Sequence, residues 1–282
     1  MIEPGRGPSR FLDAVARDPL ILDAAMGTRL VARGVALDRD DPCLWNLTHP
    51  AAVGEVHALD LAAGSDAILT NTFGANRCWL ARYGLAGETA AINRRAAAIA
   101  RAAAGPGRFV IGSIGPTAAA EPSAYTEQAE ALAGSGVDAL IFETHRMDEA
   151  TIALRSVRPA VALPLVVSLV VWSGPVDEHV RILEGLGADA IGGNCQSGMA
   201  GAVETSELLA PFARLPILLK PSAGRPGDPL ESPEEFAAAV PMLLTRGVRL
   251  LGGCCGTTEA HVAALRAACY HSRGMTTAGA EG

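Results

Sequence analysis

The chain repeats one phrase from end to end. A short aliphatic or β-branched run meets a Gly-rich or polar break, and an Ala-rich amphipathic stretch follows. The apolar runs are LILD (20–23), DAILT (66–70), RFVIGS (108–113), DALIFE (138–143), PLVVSL (164–169), DAIGGN (189–194), PILLK (216–220) and VRLLGG (248–253). Helical patterns separate them near 50–63, 86–104, 124–135, 147–158, 176–186, 199–210 and 232–246, and a last one lies at 258–270. Several of these stretches reach a Gly just before the next run, as in LAAGSDAIL, LEGLGADAIGG and LTRGVRLLGG. That is how a helix stops.

Eight strand–helix units in 282 residues predict an α/β chain folded as a single (β/α)8 TIM barrel. An open doubly wound sheet uses the same units. It would usually carry G-x-G-x-x-G after its first strand, where this chain has DAAMGT. No linker interrupts the pattern. One barrel domain is expected over 10–271, between flexible tails at 1–9 and 272–282.

Barrels of this kind place their chemistry at the C-terminal ends of the strands. The residues there are Asp23 with its AAMGT loop, Thr70-Asn71-Thr72, SIGP (113–116), Glu143-Thr144, Asn194-Cys195, Lys220-Pro221 and Cys254-Cys255. Three of the six cysteines fall in this set. They sit on the sixth and eighth strands, which share the barrel mouth.

Two readings fit GGCCGT (252–257). In the first, Cys195, Cys254 and Cys255 form an open three-thiolate metal site with a fourth position for a ligand. Formal charges then leave the site near −1, a poor Lewis acid but a good holder of another thiolate. Gly252, Gly253 and Gly256 permit the tight bend that two adjacent ligands need. In the second reading, the Gly-rich turn after strand eight binds phosphate, as in many barrels. Cys43, Cys78 and Cys269 read as small buried hydrophobes.

The formal net charge of −7, with no basic block, argues against nucleic acid. The first eighteen residues lack the apolar core of a signal peptide, and the longest apolar run, Leu163 to Trp172, is too short to span a bilayer. A cytoplasmic protein with no membrane contact is expected, its cysteines kept as thiols or ligands.

The motifs DAAMGT, AILTNTFGAN, IGSIGPT, FETHRMDEA, GGNC, LKPSAG and GGCCGTTEAHVAAL resemble, in that order, those of the homocysteine S-methyltransferase family. The likeness covers about residues 10 to 270. The family includes betaine–homocysteine methyltransferases, S-methylmethionine-dependent enzymes and the homocysteine-binding module of cobalamin-dependent methionine synthase. The resemblance implies a zinc-dependent barrel in which Cys195, Cys254 and Cys255 bind zinc and L-homocysteine supplies the fourth sulfur. It implies that Asp23 and Glu143 hold the acceptor's amino group, that the backbone of Gly27 and Thr28 receives its carboxylate, and that Asn71 and Asn194 shape the site.

Taken as residues alone, Asp23 and Asn71 also suit turn chemistry. Glu143 is harder to place without a partner, because a carboxylate ending the apolar strand ALIF costs free energy unless it is paired. His145 reads as a rim residue. His49, His57, His179, His261 and His271 fall mostly in helical segments or tails and read as solvent-facing.

The implied reaction is attack of the homocysteine thiolate on an electrophilic methyl group, giving methionine. It needs no protein nucleophile or general base, and no Ser-His-Asp or Cys-His pattern is present in the motifs. The methyl donor is left open among a methyl-corrinoid protein, betaine, S-methylmethionine and S-adenosylmethionine. PCLWNLTHP (42–50) resembles betaine-type members, in which an aromatic residue such as Trp45 faces a quaternary ammonium group; Trp45 suits a helix-flanking core position equally well. The segments after the third and fifth strands are shorter than the family pattern. That suits a large donor on a separate corrinoid partner, or a mouth completed in a homo-oligomer. The alternatives are a methyltransferase for another small thiol, or a catalytically weak homologue that binds zinc or a thiol as a sensor or partner subunit.

Overall fold

The computed structural model describes residues 9–117, 121–224 and 230–272. Its eight strands are β1 (Leu20–Ile21), β2 (Ala67–Leu69), β3 (Phe109–Ile114), β4 (Ala139–His145), β5 (Leu165–Leu169), β6 (Ala190–Ser197), β7 (Ile217–Ser222) and β8 (Val248–Leu251). Each falls on one of the eight apolar runs. All pairings are parallel, in the order β1-β8-β7-β6-β5-β4-β3-β2.

Among the described residues no strand ladder joins β1 to β2, and one backbone bond and two aspartate side chains bridge that seam instead. The Asp66 amide donates to Ile21 O at 2.7 Å, and the Ile21 amide donates to the Asp66 carboxylate at 2.8 Å. Higher up, the Leu69 amide donates to Asp23 Oδ2 at 2.7 Å. Together these contacts complete a (β/α)8 barrel.

The helices Pro50–Ala62, Thr89–Ala104, Pro122–Ala133, Met147–Val157, Val176–Gly185, Gly198–Leu209 and Glu259–Ser272 lie where the periodicity puts them. The stretch expected as one helix over 232–246 is two, Pro233–Ala237 and Val240–Thr245. Pro241 has no amide to donate to Ala237 O, so a continuous helix would lose a bond there and suffer a ring clash. An unforeseen helix, Arg10–Arg17, precedes β1, capped by the Ser9 hydroxyl, which accepts from the Leu12 amide.

Two cores follow from the layering. The outer one packs the helices on the strands. The inner one fills the barrel with residues such as Leu20, Ile111, Ile141, Val166 and Leu218, and Phe11, Ala14 and Val15 of the first helix join it. Phe11 meets Phe109 edge to face at 5.5 Å between centroids, so this helix plugs the lower end of the barrel. Strand side chains alternate in direction. Two residues beyond Ile111, Ile141, Val166 and Leu218, the inward positions therefore hold Ser113, Glu143, Ser168 and Lys220. The apolar interior gives way to a polar ring at the mouth.

A three-thiol cluster and its acceptor pocket

The chain carries its first site cysteine on the bulged end of β6. Cys195 has φ +59°, a left-handed conformation that a side chain rarely adopts, and Thr144 on β4 has φ +64°. Asn194 supports both. Its Oδ1 accepts from the Thr144 amide at 2.8 Å and from the Ser168 hydroxyl at 2.7 Å. Its Nδ2 donates to Thr144 Oγ1 at 2.7 Å and to Cys195 Sγ at 3.4 Å. Asn194 is fully buried, so this one amide fixes the ends of β4, β5 and β6 together.

The other two cysteines lie on the turn after β8. The Gly253 amide donates to Asp23 O at 3.0 Å and the Cys254 amide to Pro221 O at 2.8 Å. The Thr257 hydroxyl donates to Cys254 O at 2.7 Å and accepts from the Ala25 amide at 3.1 Å. A side chain at Gly253 would overlap Thr257, and Gly256 has φ +78°. Both positions therefore require glycine for this turn.

The turn brings the three thiols together. Their sulfurs lie within 4.8 Å of one another, with Cys195 and Cys254 at 2.8 Å. A tetrahedral ion about 2.3 Å from each sulfur needs separations of about 3.8 Å, which this spread spans. Three soft, half-buried donors on one side of a cavity fit an open metal site. Hydrogen bonds from Cys195 and Cys254 pull the Cys255 thiol down to about 3. Hydrogen bonding to its two neighbours pushes Cys195 up.

The cavity beside the cluster has a volume of about 280 Å³. Asp23, Gly27, Thr28, Asn71, Glu143 and all three cysteines line it. Asn194 sits behind that wall. Glu143 Oε1 accepts from the Ser113 hydroxyl at 2.5 Å. Burial raises the Glu143 carboxyl, against the opposing pull of Lys220 and Ser113. Thr28 contributes a buried hydroxyl with no hydrogen-bond partner among the described residues. Asn71 Nδ2 donates to Pro42 O at 2.7 Å, and Asn46 returns a bond to Asn71 O at the same distance. Asn71 thus ties the 40s loop to the end of β2 while lining the cavity.

Lys220 is the site residue to which the sequence assigned no role. It is buried, lines the cavity, and bonds Asp23 Oδ1 at 2.8 Å. Burial works against its charge, and Asp23 and Glu143 overcome that and hold the ammonium above its ordinary value. The signal was a lysine closing the apolar strand PILLK.

Several expectations change. Trp45 does not line the cavity. Its indole N–H donates to Asp40 at 3.0 Å, and its ring stacks on His49 at 4.3 Å, over a separate surface depression. His145 is a wall residue rather than a rim residue, buried beside Tyr125 and Phe142. His57 and His261 are buried, not solvent-facing. His57 lies on the apolar face of its helix with Val53 and Val56. Of the cysteines expected to be inert, Cys43 and Cys269 are buried, while Cys78 is half-buried and reaches Glu121 at 3.4 Å. Three carboxylates on the cavity wall, Asp23, Asp41 and Glu143, count against phosphate in the turn after β8.

Three thiols gathered at the mouth of a barrel, beside a cavity lined by carboxylates, make a site that could hold a metal ion. The chain belongs to the homocysteine S-methyltransferase family, whose profile matches residues 20–269. It is 31% identical over 299 aligned positions to a methionine synthase of Mycobacterium tuberculosis (strain ATCC 25618 / H37Rv), covering 92% of this chain and 25% of that protein. A methionine synthase of Mycobacterium leprae (strain TN) is 30% identical, with the same coverage. The chain thus spans about a quarter of the length of these relatives. Among solved structures, the metallated form of the homocysteine methyltransferase MmuM from Escherichia coli superposes with a TM-score of 0.75 at 26% identity, covering 89% of this chain and 96% of that one. Among the described residues no helix is long and apolar enough to cross a membrane.

Proposed function

We propose that this chain transfers a methyl group to the sulfur of L-homocysteine, giving methionine. The observation that carries the reading is the convergence of three half-buried thiols on a cavity that also holds a carboxylate with an unpaired oxygen. Zinc is the ion this donor set suits. Bound to three thiolates, it would keep a fourth thiolate ionised and nucleophilic. The protein's own groups do the rest. Glu143 receives the acceptor's ammonium, and the Gly27–Thr28 segment, with its orphaned hydroxyl, receives the carboxylate. Asn194 holds Cys195 in its strained conformation. A cytoplasmic location keeps the three thiols reduced.

For the donor, the position of Trp45 removes the residue expected to cage betaine. Phe73 is the one aromatic ring among the described cavity-lining residues, too few for an aromatic cage around a quaternary ammonium. A methyl-corrinoid protein is the donor we propose. It would approach the open side where Phe73 stands 41% exposed. The test is methionine formation by the reduced, zinc-loaded protein with L-homocysteine and, in parallel, a methyl-corrinoid protein, betaine, S-methylmethionine and S-adenosylmethionine. Turnover with the corrinoid donor and loss of it in Cys255→Ala are expected. Absence of methionine with all four would overturn the assignment.

A further inference from the structure

Asn194 fixes Cys195 against β4 and β5, but none of its side-chain bonds reaches the turn after β8. The β6–β7 ladder does not supply that link at the thiol itself, because its register shifts between Asn194 and Ser197, across Cys195. The spacing of Cys195 from Cys254 and Cys255 therefore depends on what holds the chain just beyond each of them. Two groups outside the cavity do this, Glu231 and His261.

Glu231 is half-buried in the segment that follows β7. Both of its carboxylate oxygens accept from the Met199 amide, at 3.2 and 2.9 Å. Met199 lies in the first turn of the helix Gly198–Leu209, which starts soon after Cys195. A carboxylate suits the partial positive charge of a helix start. Gly198 has φ +70°, and a side chain there would overlap the Glu231 carboxylate. Glycine at 198 thus leaves room for this contact.

The backbone of Glu231 reaches the other two thiols. Its amide donates to Ala223 O at 2.7 Å, and the Ala223 amide donates to Cys255 O at 2.9 Å. Its carbonyl accepts from His261 Nε2 at 3.1 Å. His261 Nδ1 in turn accepts from the Thr258 amide at 3.1 Å. An amide can only donate, so that bond leaves the ring proton on Nε2, where the bond to Glu231 needs it. His261 is buried, its ring edge to face with Phe236 at 5.2 Å between centroids. Thr258 adjoins Thr257, whose hydroxyl holds Cys254 O. Hydrogen bonds thus run from the chain leaving Cys195 to the chain leaving Cys254 and Cys255, and they meet at Glu231.

We propose that Glu231 is a positioning residue for the metal site, which with His261 sets Cys195 at ligating distance from Cys254 and Cys255. It acts from outside the cavity and touches neither ion nor acceptor. This rests on the three-thiol metal reading above and extends it to residues that the reaction itself does not use.

The test is the zinc affinity of the reduced full chain, by competition with a chelator, with the sulfur neighbours counted by X-ray absorption at the zinc edge. Glu231→Ala should weaken zinc binding by at least about tenfold, the lower end of what losing a supporting residue costs a metal site, and bring the sulfur count below three. Glu231→Gln keeps an acceptor for the Met199 amide and should stay within about threefold of the wild type. Ser9→Ala removes a helix cap at the opposite end of the barrel and should leave zinc affinity unchanged. Should Glu231→Ala fail to fold, as judged by circular dichroism, His261→Phe takes its place with the same expected loss, since it keeps a ring beside Phe236 and removes both histidine bonds. Wild-type affinity or an intact count of three sulfurs in the folded variant overturns the inference. So does an equal loss in Ser9→Ala, which would make the effect one of general stability, or a loss in Glu231→Gln as large as in Glu231→Ala. Each of these leaves the three-thiol site standing. A wild type that binds no zinc overturns both.

Discussion

Asn194 on β6 clasps Thr144 on β4 at both ends, accepting from its amide at 2.8 Å and donating to its hydroxyl at 2.7 Å. The same amide nitrogen reaches Cys195 Sγ at 3.4 Å. One side chain thus stabilises two left-handed residues and orients a thiol of the three-cysteine cluster. Asn194→Ala leaves the Thr144 amide without its partner in a buried setting. It should cost about 1–3 kcal/mol of stability and, by freeing Cys195, weaken metal binding on the order of 10–100-fold. Urea unfolding and zinc competition with a chelator measure the two effects. Unchanged metal affinity would mean that Cys195 is positioned by its backbone alone.

Lys220 and Asp23 form a buried pair, so removing one partner strands the other. Lys220→Met should destabilise the protein by about 3–5 kcal/mol. The paired change Asp23→Asn/Lys220→Met should recover most of that loss. Denaturant midpoints with unchanged slopes would establish this. Equal losses in the single and double variants would show that the lysine stem, not the charge pair, matters.

Two buried histidines make the fold sensitive to mild acid. Burial lowers His57 and His145 from 6.5 to about 4 each. The unfolded chain therefore takes up protons between those values while the folded chain does not. The stability they contribute is complete above about pH 6.5 and is lost as pH falls toward 4, by roughly 3 kcal/mol apiece. Among the described residues both ring nitrogens of His57 lack partners, so His57→Leu removes a titration without breaking a hydrogen bond. Its Tm should fall less steeply than the wild type's between pH 6.5 and 4. Parallel curves would place the acid sensitivity elsewhere.

Strand positions were legible because each buried parallel strand reads as a continuous apolar run bounded by turn residues. The thiol cluster was legible for a related reason. In this fold the residues just past the strands converge, and GGCC combines two of the cluster's thiols with the glycines their turn needs. The pairing inside the pocket was not legible. Nothing local to Asp23 says that Lys220, 197 residues away, will take its oxygen. Period-two alternation along PILLK does place that lysine in the barrel mouth. Helix type alone does not place His57; the face it lies on does. It lies four residues after Val53 and three before Asp60, both buried, and those spacings share one side of a helix. Trp45 stays open in the sequence between a quaternary-ammonium face and a core position, because a sequence neighbourhood does not say which side of a loop an aromatic ring takes; it holds the core position.

The central claim is that homocysteine sulfur joins the three cysteine sulfurs on one zinc ion. X-ray absorption at the zinc edge, recorded on the reduced, zinc-loaded protein before and after L-homocysteine, tests it most directly. The account predicts three sulfur neighbours at about 2.3 Å rising to four, with Cys255→Ala losing the metal. A spectrum that does not change on adding homocysteine would contradict it.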